Sequence, residues 1–193
     1  MSRVLLVNPN RFVTPPVPPL ALEYLQAALD AAGHETRIAD LTFADDPLAV
    51  LCREIRDFRP FVAGMTLRNV DSVLYRGNEF FLEPMKPLVA CLRDAGVTTV
   101  LGGAGFTAFR GAALDYLDAD YGVSGPGERA FPRLVAALER GEKPEERLID
   151  GWAAGIDPDF APVARGGGID YPAYLGRGAL AGFETQKGCL GGC

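Results

Sequence analysis

Histidine is almost absent from this 193-residue chain, which has one, and cysteine and tryptophan are scarce, at four and one. A single imidazole leaves no Ser/His/Asp triad to assemble. That residue, His34, follows Gly33 in a turn between a helical and an extended stretch, so it reads as a surface residue and not a ligand. A basic stripe is missing as well: the net charge is −6 with both signs scattered, which excludes the phosphate-tracking face of a nucleic-acid binder. Long apolar runs are lacking. The start offers only Val4–Val7 before the polar turn at Asn8-Pro9, too short for a signal peptide or a membrane span, so a cytoplasmic protein without a membrane partner is expected.

Glycine (23) and proline (15) are abundant instead, and they punctuate a chain long enough for one domain and a tail. The cysteines fall in two pairs of different character. Cys52 and Cys91 sit inside apolar helical patterns and read as small buried hydrophobes. Cys189 and Cys193 flank glycines in Gln186-Lys187-Gly188-Cys189-Leu190-Gly191-Gly192-Cys193, where in a reducing compartment such spacing points to metal or redox chemistry. Two thiolates do not complete a zinc site or an iron–sulfur cluster, so the chain reads as cut in mid-motif.

Between these ends, short β-branched runs alternate with longer helical ones. Strands are predicted at Val4–Val7, Glu35–Ala39, Phe61–Met65, Val97–Leu101 and Tyr121–Val123. Helices are predicted at Leu20–Ala32, Pro47–Phe58, roughly Met85–Ala95, Ala108–Leu117 and Ala130–Arg140, with Gly33 and Gly96 as stop residues. The pattern calls for an α/β fold, a Rossmann-like doubly wound five-stranded parallel sheet with helices on both faces. From Gly141 the texture turns to glycine, proline and charge, with Trp152, Tyr171 and Tyr174 as isolated anchors. Residues 1–140 therefore form the domain, 141–182 a linker that packs intermittently, and 183–193 the start of something further.

Ligands of open parallel sheets bind outside the carboxyl ends of the strands. Here those ends carry Asn8–Pro19, Thr66–Asn78, Gly102–Thr107 and Ser124–Glu128, two long loops and two glycine-rich ones, which suits a bulky ligand with an extended polar tail. Gly102-Gly103-Ala104-Gly105 is either a phosphate cradle or a tight strand-to-helix turn. Dinucleotide binding is disfavoured, because Asn8-Pro9-Asn10 stands where GxGxxG would follow the first strand. Flavin mononucleotide is disfavoured too, since Phe12, Val13 and prolines occupy the place of a hydroxyl-rich phosphate loop. The bland reading of Thr66–Ser72 is a solvated loop with Arg68 paired to Asp71.

Taken together, Val4–Pro9, Pro18–Leu25, Ala32-Gly33-His34-Glu35, Leu101-Gly102-Gly103, Val123–Glu128 and Gln186–Cys189 resemble the cobalamin-binding radical S-adenosylmethionine enzymes across the whole chain. The resemblance implies an N-terminal Rossmann-like domain for cobalamin, a linker, and a partial β/α barrel whose first loop carries CxxxCxxC. Cys189 and Cys193 match its first two cysteines, which would help bind a 4Fe-4S cluster whose remaining iron takes S-adenosyl-L-methionine. The implied function is that of a radical enzyme, a methyltransferase acting on an unactivated carbon or phosphorus centre, served by a flavodoxin or ferredoxin type electron donor. Its substrate would be a small molecule or peptide.

Carried over position by position, the resemblance puts Asn8 and the loop Thr66, Leu67, Arg68, Asn69, Val70 and Ser72 at the cofactor, the loop beneath the corrin ring. It puts Gly102, Gly103, Ala104, Phe106 and Thr107 beside the nucleotide tail, and Gly125, Gly127 and Glu128 on its other side. The Asp-x-His-x-x-Gly motif that ligates cobalt from below in mutases is missing, so Arg68, or water on Asn69, is expected to face the lower side. No residue of this chain is assigned a catalytic role. Two alternatives remain: a radical cyclase or rearrangement enzyme with the same cofactors, and a stand-alone cobalamin-binding module. The tRNA methylthiotransferases fit less well, because Cys52 and Cys91 lie in helices and not in ligand loops.

Overall fold

Val4–Val7 and the run Val62, Ala63 and Met65 are buried on both sides, the signature of strands covered by two helical layers. The computed structural model describes residues 1–72, 74–156 and 167–184. Its strands are β1 (Arg3–Asn8), β2 (Glu35–Asp40), β3 (Val62–Thr66), β4 (Thr98–Gly102), β5 (Tyr121–Ser124) and β6 (Leu148–Asp150). All pair in parallel in the order β2-β1-β3-β4-β5-β6. The order reverses between β1 and β3.

The sheet has six strands and not the expected five. The additional β6 is three residues long, follows Glu145-Glu146-Arg147 and pairs Leu148, Ile149 and Asp150 with Gly122, Val123 and Ser124 at the edge. A charged, very short edge strand carries almost no period-2 signal.

Helices α1 (Leu20–Ala31) and α5 (Ala130–Glu139), with the short α6 (Tyr171–Leu175), cover one face; α2 (Pro47–Phe58), α3 (Lys86–Asp94) and α4 (Ala104–Leu117) cover the other. The Asp46 carboxylate caps α2 by accepting from the Ala49 N–H at 3.0 Å, and Pro47 opens its first turn. Helix α4 begins four residues earlier than the sequence suggests. It is broken at Arg110 (φ 38°, ψ −114°), and that break separates its first turns from the apolar periodicity that follows.

Two phenylalanines wedge the layers. A Cβ on Gly122 would lie 2.0 Å from the Phe106 ring, and one on Gly64 would lie 2.8 Å from the Phe131 ring. Each ring therefore takes the volume that a strand side chain would fill.

Cys52 and Cys91 differ from expectation. Both are half-buried, and they are joined as a disulfide linking α2 to α3, with Cα atoms 6.5 Å apart. The pairing follows from α2 and α3 lying side by side on one face, a contact that helical periodicity does not specify. No helix among the described residues is long and apolar enough to cross a membrane.

Closing a loop between residues 39 apart restricts the unfolded chain. Reduction, or Cys52→Ala, should lower stability by about 2–4 kcal/mol in a urea titration followed by circular dichroism.

Candidate functional site

The side chains of β3 and β4 alternate between the two faces, so Gly64, Thr66, Val100 and Gly102 all turn toward α1 and α5. Two of these positions carry no side chain, and a cavity of about 410 Å³ remains between the sheet and the helices. Ala21, Leu22 and Leu25 of α1, Phe131 of α5, and Val123, Gly125, Pro126, Gly127 and Glu128 at the end of β5 complete its wall. Trp152, beyond β6, and Glu184 also reach it.

Most of the lining is apolar, and its hydroxyls are easily followed. Thr107 Oγ1 donates to the Gly103 carbonyl at 3.0 Å and accepts from the Gly125 N–H at 3.0 Å, which ties α4 to the end of β5. Thr66 Oγ1 makes no hydrogen bond among the described residues. It is the hydroxyl left for a ligand.

The glycine-rich turn after β4 settles as a close approach of two backbones. The Leu67 N–H donates to the Gly102 carbonyl at 2.7 Å, and the Leu67 carbonyl accepts from the Gly105 N–H at 2.9 Å. A Cβ on Gly103 (φ +97°) would fall 2.6 Å from the Leu67 carbonyl oxygen and 2.7 Å from Thr66 Oγ1. One donor at the start of α4, the Gly105 N–H, is thus engaged by protein.

Of the residues named from sequence, Thr66, Gly102, Gly103, Ala104, Thr107, Gly125, Gly127 and Glu128 line the cavity together. Arg68 is exposed on the loop after β3 and makes no ion pair among the described residues, while Asn69 and Val70 beside it are half-buried. That loop turns back on itself: the Ser72 N–H donates to the Glu79 carbonyl at 3.0 Å, the Phe81 N–H to the Val70 carbonyl at 2.8 Å, and Ser72 Oγ to Asn78 at 2.9 Å. Asp71 accepts from Asn78 Nδ2 at 3.2 Å.

Seven named residues do not line the cavity: Arg68, Asn69, Val70 and Ser72 of the loop after β3, and Asn8, Leu67 and Phe106. Phe106 is fully buried against Gly122 on the opposite face, and Leu67 points into the same core. Asn8 is 2% exposed, and its Nδ2 donates to Asp40 Oδ1 and Thr42 Oγ1, both at 2.9 Å. Tyr174, wholly buried, donates from its hydroxyl to Asp40 Oδ2 at 2.9 Å and lies 2.8 Å from Thr42 Oγ1. Burial above all, together with the Asp40 carboxylate, pushes the Tyr174 phenol well above its ordinary range. The tetrad of Asn8, Asp40, Thr42 and Tyr174 holds α6 against the carboxyl ends of β1 and β2. Cys189 and Cys193 lie outside the described residues; among those described, no group of acidic, histidine or cysteine side chains could hold a metal ion.

Sequence reasoning missed Leu22, Leu25, Gly64, Phe131 and Trp152. Gly64 carried a usable signal, since it stands two residues before Thr66 and so shares its face.

A family model described as the B12 binding domain matches residues 12–135. Tryptophan 2-C-methyltransferase of Streptomyces laurentii is 37% identical over 157 residues, covering 80% of this chain and 26% of that protein. The structure of the radical S-adenosylmethionine methyltransferase TsrM from Kitasatospora setae with cobalamin and a [4Fe-4S] cluster is similar at a TM-score of 0.69 and 36% identity, over 74% of this chain and 26% of that one. OxsB, a cobalamin-dependent S-adenosylmethionine radical enzyme solved with aqua-cobalamin, is similar in fold alone, with a TM-score of 0.58 and 15% identity over 76% of this chain and 20% of that one. The chain spans about a quarter of the length of the curated relative it matches.

Tyr174→Phe should cost about 1–3 kcal/mol by leaving Asp40 short of a buried donor. Because the folded-state pKa is raised, the tyrosine contribution is whole below the unfolded value of about 10 and is lost as pH rises beyond it. Urea midpoints measured from pH 8 to 11 should therefore fall more steeply for the parent chain than for Tyr174→Phe.

Proposed function

The chain belongs to the B12-binding domain family, and on that footing we propose that it is the cobalamin-holding part of a radical S-adenosylmethionine methyltransferase. The observation that carries this reading is the cavity on the α1 and α5 face. It is apolar enough for a benzimidazole, offers the Thr66 hydroxyl to a ring nitrogen, and sets Glu128 where a sugar hydroxyl can donate to it. Cobalamin when bound supplies a cobalt-carried methyl group.

Everything else in the proposal is done by the protein. With the nucleotide tail in the cavity, the carboxyl ends of the strands and the loop Thr66–Ser72 would hold the corrin ring. Arg68 is the exposed cation of that loop, and no histidine is near. A guanidinium offers donors and no lone pair to a metal, so Arg68 would leave the lower face without a protein nitrogen ligand. Residues 1–140, joined by Trp152 and Glu184, would hold the cofactor; 141–182 link, and 183–193 lead into the radical domain, where Cys189 and Cys193 would contribute to a 4Fe-4S cluster that binds S-adenosyl-L-methionine.

The reaction proposed is methyl transfer to an unactivated carbon. Tryptophan, named for both methyltransferase relatives, is the first substrate to try. A cytoplasmic location and a flavodoxin or ferredoxin type electron donor complete the proposal.

Anaerobic titration with hydroxocobalamin should give stoichiometric binding. After reduction, electron paramagnetic resonance should show Co(II) without nitrogen superhyperfine splitting; such splitting would refute the unligated lower face. Gly102→Val is a second check. A Cβ there meets only the Val123 carbonyl oxygen, at 3.8 Å, so the fold should persist while side-chain bulk enters the cavity and weakens cobalamin by about tenfold or more. Unchanged affinity would remove the tail from the cavity.

A further inference from the structure

Trp152, the only tryptophan of the chain, is set into the cavity wall by a close approach of its indole to Gly125 and by contacts that hold the backbone around it. A Cβ on Gly125 (φ +86°) would fall 2.5 Å from its indole Nε1. The preceding Gly151 packs so closely on the β5-to-α5 turn that a Cβ would lie 2.2 Å from the Pro126 carbonyl oxygen, and its N–H donates to the Ser124 carbonyl at 2.8 Å. The Trp152 N–H is held by Asp150 Oδ1 at 2.9 Å. An indole fixed in this way, still 47% exposed, presents a flat apolar surface to whatever enters.

We propose that Trp152 is a specificity-determining residue: with the Thr66 hydroxyl, it makes the cavity select corrinoids whose nucleotide carries an apolar, methylated base over those carrying a purine. The inference rests on the cobalamin reading and goes beyond it. A dimethylbenzimidazole that does not ligate cobalt has one free ring nitrogen, which the Thr66 hydroxyl satisfies, and two methyl groups that want apolar walls. Adenine in its place brings an amino group and further ring nitrogens. The Thr107 hydroxyl already donates to Gly103 and accepts from Gly125, and the Glu128 carboxylate, assigned above to a sugar hydroxyl, is an acceptor and cannot answer further ring nitrogens. Leucine and phenylalanine surfaces offer those extra groups nothing, and the indole brings a single N–H, on the pyrrole side of the ring that lies against Gly125. A site that leaves a ligand's buried polar groups unpartnered discriminates against it more strongly than one that merely lacks a methyl contact.

The test is calorimetric binding to the full 193-residue chain. The probes are hydroxocobalamin, its counterpart with adenine as the lower base, and cobinamide, which lacks the nucleotide; the proteins are the parent, Trp152→Phe and Trp152→Ala. The parent should bind hydroxocobalamin about ten- to a hundredfold more tightly than the adenine form, the span for one or two polar groups left without partners. Trp152→Phe should keep that ratio. Trp152→Ala should reduce it to about threefold or less while leaving cobinamide affinity unchanged, an outcome that general unfolding does not produce.

Equal binding of the two base forms by the parent overturns the inference without recourse to any variant, as does an undiminished ratio in Trp152→Ala. Cobinamide binding as tightly as cobalamin removes the tail from the cavity and the inference with it. Failure of all three corrinoids to bind the parent overturns the cobalamin reading itself.

Discussion

The spacing of the layers depends on two aromatic rings seated over strand glycines, Phe131 over Gly64 on one face of the sheet and Phe106 over Gly122 on the other. Interiors pack to a nearly fixed density, so a strand position without a side chain must be filled from elsewhere or stay open. At Gly64 and Gly122 a ring fills it. At Gly102 no ring does, because the chain there turns into α4 and Leu67 closes only the opposite face. Those two solutions to one packing problem, side by side in the same sheet, decide where the molecule is solid and where it can admit a ligand.

Much of this was legible in the chain. Alternating apolar runs and capped helices give the parallel α/β architecture, and the rule that ligands sit at strand carboxyl ends picks out Thr66, Gly102–Ala104, Gly125 and Glu128. What adjacency does not give is the face. Asn8, Leu67 and Phe106 are neighbours of site residues in sequence, yet Leu67 and Phe106 belong to the opposite layer and Asn8 to the tetrad with Tyr174. Gly64, Leu22 and Phe131 contribute to the wall only once register and helix packing are known, which are tertiary facts.

The stretch after Gly141 is hard to read for a different reason. Its composition is that of a connecting segment, and its strand and helix are too short for periodicity to register. Yet β6 carries the turn that sets Trp152 against Gly125, and α6 is anchored by a fully buried tyrosine. Cys52 and Cys91 belong to the same class of feature: each is unremarkable in its own helix, and only the packing of α2 on α3 joins them.

Asn8 and Tyr174 are 166 residues apart, and their contact has a consequence in time. During synthesis at about 5–20 residues per second, the first strand waits roughly ten to thirty seconds after Asn8 is made before its tyrosine partner exists. Until then Asn8, Asp40 and Thr42 keep their water, and the carboxyl edge of β1 and β2 is a wet groove on a sheet whose interior is already dry. Docking of α6 covers those side chains, so a polar seam opened by the first two strands is closed by a helix far downstream in the chain.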